Sequence, residues 1–112
     1  MAQFNPIPTT HPSIIGNTWT KVNTVIGRDR HYIALANEST GYFYRFECVS
    51  LDSYTSGFTS GSGKILAPAA NANHIGGIYE ETYDNLSTGD IYVYANSGST
   101  GAVTTLAVTE GT

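Results

Sequence analysis

The stretch "GFTSGSGK", Gly57 to Lys64, gathers glycines, small hydroxyls and a lysine, the groups that cradle a phosphate. A nucleotide-binding loop needs G-x-x-x-x-G-K-[ST] between a strand and a helix, so that helix amides meet the phosphates and the last hydroxyl holds magnesium. Here five residues, not four, separate Gly57 from Gly63, and Lys64 is followed by Ile65. The next run, "KILAP", reads as a strand. The stretch is expected to be a flexible connection between strands and not a phosphate site.

The other residues able to do chemistry are dispersed. His11, His31 and His74 include no pair at ligand spacing, so exposed or internally satisfied histidines are expected. Glu80, Glu81 and Asp84 cluster in "EETYD", but the spacing of a calcium loop with its central glycine is absent, and the cluster reads as a solvated acidic loop after a strand. There is no G-x-S-x-G elbow and no supported Ser-His-Asp order. A chain of 112 residues leaves little room for the cleft that a pair of glycosidase carboxylates requires. Cys48 is the only cysteine, so neither an internal disulfide nor a cysteine-based zinc cluster can form. Within "YRFECVS" it reads as a small buried hydrophobe. The sequons at Asn37 and Asn85 carry no meaning without secretion. No catalytic residue, no cofactor site and no metal ligand is expected.

Bulk properties exclude further classes. The five basic residues are scattered and the net charge is −4, so no basic face exists to replace phosphate counterions, and no nucleic acid is expected as a partner. The first residues lack the basic and apolar regions of a signal peptide. No apolar run approaches the ~20 residues that span a bilayer, so no membrane is expected either. The expectation is a soluble protein made in a cytoplasm, large enough to bury roughly 65% of its unfolded surface in one core.

The elements that would position any site alternate with a period of two. "TWTKVNTVI", "HYIALANE", "YFYRFECV", "KILAP", "HIGGIYEE", "GDIYVYA" and "AVTTLAVTE" read as strands, separated by clusters such as "NESTG" and "NSGSTG". Their alternation sets Tyr44 and Phe46 against Arg45 and Glu47, and Ile91 and Val93 against Tyr92 and Tyr94. The pattern predicts an all-β chain, an antiparallel β-sandwich or jelly-roll-like barrel over residues 19–112. Residues 1–18 hold three of the four prolines and read as an extended N-terminal arm. Phe4, Ile7, Ile14 and Ile15 give that arm more apolar mass than a solvated tail needs, so it is expected to order on contact and clamp a neighbouring subunit or a shell beneath it, a frayed terminus being the other reading. Tyr42, Tyr44, Tyr92 and Tyr94 lie at strand spacing, where packing and a partner interface are both open readings. With Trp19 and the arm's apolar residues they form the expected interface.

From "VIGRDRHYIALANEST" onward the chain resembles the small β-sandwich virion proteins of tailed bacteriophages. Arg30 with "HYIALANES", the loop at 57–63, "ILAPAAN", "GDIYVYANSG" and "TTLAVTEG" follow the order of that family's motifs over residues 25–110. Two departures are "APAAN" where the family has "APG", and the insertion-like "GGIYEETYDNLS" before the last strand pair. The resemblance implies a non-enzymatic virion structural protein. It would be a capsid decoration or cement protein on the outer surface of the major capsid protein shell, or else a tail or neck accessory protein bound to another virion protein. An acidic domain suits the outside of a shell that holds DNA. Symmetric assembly at three-fold sites favours a homo-oligomer, a trimer. The alternative from a different class is a carbohydrate-binding, receptor-binding β-sandwich module that uses Trp19 or the tyrosines as a stacking platform.

Overall fold

The computed structural model describes residues 8–25, 30–48, 63–71, 73–74, 76–82, 89–98 and 100–112. Among them are nine strands and no helix: β1 (Ile14–Ile15), β2 (Trp19–Lys21), β3 (Tyr32–Asn37), β4 (Tyr44–Cys48), β5 (Lys64–Leu66), β6 (Ile78–Thr82), β7 (Ile91–Ala95), β8 (Ala102–Val103) and β9 (Leu106–Gly111). All pairings are antiparallel. β2-β7-β4-β5 form one sheet, β6-β3-β9 a second, and β1-β8 a short third ladder. The chain thus has the all-β, antiparallel, sandwich-like fold that its period-two pattern predicts.

Alternation decides which side chains meet between the sheets. Ile33 and Leu35 of β3 and Leu106 and Val108 of β9 face Tyr44 and Phe46 of β4, Leu66 of β5 and Ile91, Val93 and Ala95 of β7, all buried. The Phe46 ring packs 4.5 Å from that of Tyr79, and Thr105 Oγ1 lies 2.6 Å from the Tyr42 hydroxyl and 2.8 Å from that of Tyr44, so contacts from both sheets close the core.

Three buried polar ties complete the join. Asn37, fully buried on β3, donates to the carbonyls of Tyr42 (3.1 Å) and Leu66 (2.9 Å), and its Oδ1 accepts from Ser39 N (2.8 Å). Asn23 accepts from Ile91 N (2.9 Å) and donates to Val25 O and Asp90 Oδ1, both at 3.1 Å. Glu110 on the inner side of β9 accepts from the amides of Thr24 (2.7 Å) and Val25 (2.8 Å). A buried carboxylate is costly unless it is hydrogen-bonded, and these amides meet that need. The expected strand "TWTKVNTVI" therefore forms a ladder only at Trp19–Lys21. Val22 N still donates to Ile91 O at 3.0 Å, and beyond it the Asn23 side chain and the Glu110 carboxylate take over the backbone's hydrogen bonding.

Two glycine positions are set by close approach. At Gly63, φ is +87° and a Cβ would meet Phe46 O at 2.4 Å, so only glycine turns the chain into β5. At Gly76 a Cβ would meet Ala67 O at 2.4 Å and Asn37 O at 2.7 Å, because the 66–69 backbone lies against it.

Residues 8–18 of the expected arm lie on the chain's own body. Thr10 exchanges two 2.9 Å backbone bonds with Val108, Ile14 and Ile15 pair with Val103 and Ala102, and His11 Nε2 lies 2.8 Å from Glu38 Oε1. Ile14 is fully buried in the core, so it is no docking residue for a neighbour, while Ile15 remains 46% exposed. Phe4 and Ile7 lie outside the described residues.

Candidate functional site

Among the described residues the three histidines do not converge. His11 meets Glu38 on the surface, His74 Nδ1 lies 2.7 Å from Asn71 Oδ1, and His31 precedes β3. Among the described residues no three His, Cys, Asp or Glu side chains come together as a metal site, and these residues enclose no pocket. Gly63 and Lys64, the described end of "GFTSGSGK", lead into a strand and not into a helix, which removes the amide cluster a phosphate requires. Residues 57–62 lie outside the described set.

The acidic cluster departs from expectation. Glu80 and Glu81 belong to β6, not to a loop, and Glu81 is buried. It accepts a hydrogen bond from the Tyr79 hydroxyl, and Cys48 Sγ lies 3.8 Å away. Asp84 lies outside the described residues. Burial foremost, then the Glu81 carboxylate, pushes the Tyr79 phenol well above the usual tyrosine range. Arg30, which the resemblance places before β3, is buried as well, and its Nη2 donates to Gly89 O at 3.2 Å. Glu110 is the functional-looking residue that sequence reasoning missed, and the burial of Glu81 and Arg30, both named from the sequence, was missed with it. Parity was the available signal, since Glu110 continues the inward series of Leu106 and Val108.

Of the expected interface tyrosines, Tyr44 is fully buried and Tyr42 half-buried, with their rings edge to face at 5.6 Å. Burial raises the Tyr44 phenol above its ordinary range, although its bond with Thr105 pulls the other way. Tyr44 belongs to packing and is not available to a partner.

Trp19, Tyr92 and Tyr94 have a different setting. They point outward from the four-stranded sheet, and the strand register places them in two rows. Across one row run Trp19, Tyr94, Arg45 and Ile65; across the other run Lys21, Tyr92 and Glu47. Every member is at least partly exposed, with Ile65 at 53%. The Trp19 and Tyr94 rings lie 5.4 Å apart with planes tilted by 46°, and the Arg45 guanidinium carbon sits 5.4 Å from the centre of the Phe43 ring. Tryptophan, tyrosine and arginine on one flat face are the residue types that concentrate binding energy between proteins. The outer face of the four-stranded sheet is therefore the candidate site, a surface whose residue types suit binding.

No protein family, no curated protein and no solved structure matches this chain.

Proposed function

We propose that this chain is a non-enzymatic structural subunit of a bacteriophage virion, of the capsid decoration type, whose working surface is the outer face of the four-stranded sheet. The observation that carries the reading is the row Trp19–Tyr94–Arg45–Ile65, flanked by Lys21, Tyr92 and Glu47 and lying open on a flat sheet. Such a face gains by being covered with protein, because aromatic and guanidinium groups release much contact energy once water is excluded. Assignment to a virion head rests on the ordered motifs from Arg30 to "TTLAVTEG" and on the net charge of −4, which suits an outer surface.

The test is mass spectrometry of purified virions of the phage that encodes the chain, with immunogold labelling. The expected outcome is the chain in stoichiometric amount with gold on the head. Gold on the neck or tail would favour an accessory role there. Competable binding on a glycan array would replace the reading with a carbohydrate-binding one.

A further inference from the structure

We propose that the outer face of the four-stranded sheet is self-complementary and pairs with the same face of a second copy about a two-fold axis, Arg45 of each copy meeting Glu47 of the other. The inference rests on the reading of this face as a protein contact and supplies the partner.

Its basis is the register. The face carries one row of Trp19, Tyr94, Arg45 and Ile65, and below it a row of Lys21, Tyr92 and Glu47, with Gly63 beside Glu47 just before β5. A two-fold axis lying in the contact plane, perpendicular to the strands and between the rows, sets each row against the other row of the second copy. Trp19 then meets Lys21, Tyr94 meets Tyr92, and Arg45 meets Glu47. Ile65, which is 53% exposed, meets the bare backbone at Gly63. Each contact occurs twice and no like charges face each other. The ammonium over an indole is a favourable cation–π arrangement, and the guanidinium–carboxylate pair fixes the register of approach. A two-fold axis along the strands would instead set Arg45 and Glu47 against tyrosines and form no ion pair.

The chosen axis also leaves the strands of the two copies nearly aligned, the arrangement in which sheets pack. Isologous two-fold pairing is the commonest form of self-association. The outer face of the three-stranded sheet cannot complement itself in this way, because its described outward residues include Glu80 and no basic side chain. Four strands at ~4.8 Å spacing make the contact about 19 Å wide, at the small end of specific interfaces, so a dimer in equilibrium with monomer is expected. This is a two-fold unit and not the trimer expected from shell symmetry.

Sedimentation equilibrium of the full chain, from micromolar to near-millimolar concentration, tests the pairing. The mass is expected to rise from 12.0 kDa toward twice that value. Arg45→Glu or Glu47→Arg alone should weaken the dimer by about tenfold, since each reversal creates two like-charge contacts. The double exchange R45E/E47R should return the affinity to within about threefold of the original, because it restores both pairs. Circular dichroism should show all three variants folded, as both side chains point away from the core. The pairing is overturned if the parent chain stays at 12.0 kDa throughout, if the single reversals leave the affinity unchanged, or if the double exchange is as weak as the singles. A monomeric chain found on virion heads would sink the pairing and leave the proposed function standing. A charge-sensitive dimer in a protein absent from virions would do the reverse.

Discussion

The two outer faces of this sandwich are built from different materials. The four-stranded sheet turns Trp19, Tyr92, Tyr94, Arg45 and Lys21 outward, while the three-stranded sheet turns out mostly small or polar residues, Ala34, Ala36, Thr109 and Glu80, with Ile78 and with Tyr32, whose hydroxyl donates to Glu80 at 2.8 Å. Both sheets contribute comparable apolar residues inward, so core formation does not account for the contrast. A solvated face needs mainly polar or small residues, and the three-stranded sheet comes close to that, with Tyr32 tied to Glu80 and Ile78 standing alone. Bulky rings held on a flat surface gain nothing from water and much from a protein cover. On the proposed reading, the asymmetry separates a face that serves the fold from one that serves a partner.

The largest effect should come from the tie that holds the two faces in one body. Asn37→Ala would strip partners from the buried carbonyls of Tyr42 and Leu66 and from the Ser39 amide. The expected loss is roughly 3–5 kcal/mol of folding stability, read by urea unfolding. Ile14→Ala should cost about 2–4 kcal/mol by the same measurement, because a fully buried side chain leaves a cavity. A cost near zero would restore the picture of a loose arm.

Alkaline pH should expose the next difference. The folded-state pKa values of Tyr44 and Tyr79 lie above the 10.0 of a free phenol, so the folded chain holds these protons more tightly than the unfolded one. Their contribution to stability is complete below pH 10 and is lost as pH rises through the folded-state values. Tyrosinate absorbance should therefore show a cooperative step that coincides with loss of the β-sheet circular dichroism signal. A smooth titration of every tyrosine around 10 in folded protein would contradict the buried positions.

Matched truncations of the two faces sharpen the comparison most finely. Trp19→Ala should leave stability within about 1 kcal/mol yet weaken self-association or head attachment by tenfold or more. Ile78→Ala on the opposite face should change stability by less than about 0.5 kcal/mol and leave association untouched, since scattered exposed isoleucines carry no partner. Equal losses from both would erase the distinction.

Much of this arrangement was legible in the chain. Alternation set Tyr44 and Phe46 on one face against Arg45 and Glu47, and Tyr92 and Tyr94 opposite Ile91 and Val93, because period-two patterning is a local property of a strand. Which face of β4 turns inward was not legible, and Tyr44 was expected at an interface. What could not be read depends on residues distant in sequence. Asn23 breaks its predicted strand because β7 and β9 supply Ile91 N and the Glu110 carboxylate as alternative partners. Glu81 and Glu110 look like solvent-facing charges until parity and cross-strand donors put them inside. Gly76 is small because the 66–69 backbone lies against it. The sequon at Asn37 also loses its superficial meaning, since that side chain is fully buried and already bonded. For the candidate face, the residue types and their outward parity were visible. Cross-strand order was not, because register comes from pairing and not from any one strand.

Trp19 is the only tryptophan in the chain, and it stands at the end of the candidate face, so its fluorescence reports on that surface alone. Emission and acrylamide quenching should be recorded as the chain is concentrated from micromolar to near-millimolar, and again after addition of purified heads that lack it. The account predicts a blue shift and reduced quenching on association, because the partly exposed indole becomes covered. Association detected by sedimentation with Trp19 emission and quenching unchanged would contradict the central claim and move the contact to another face.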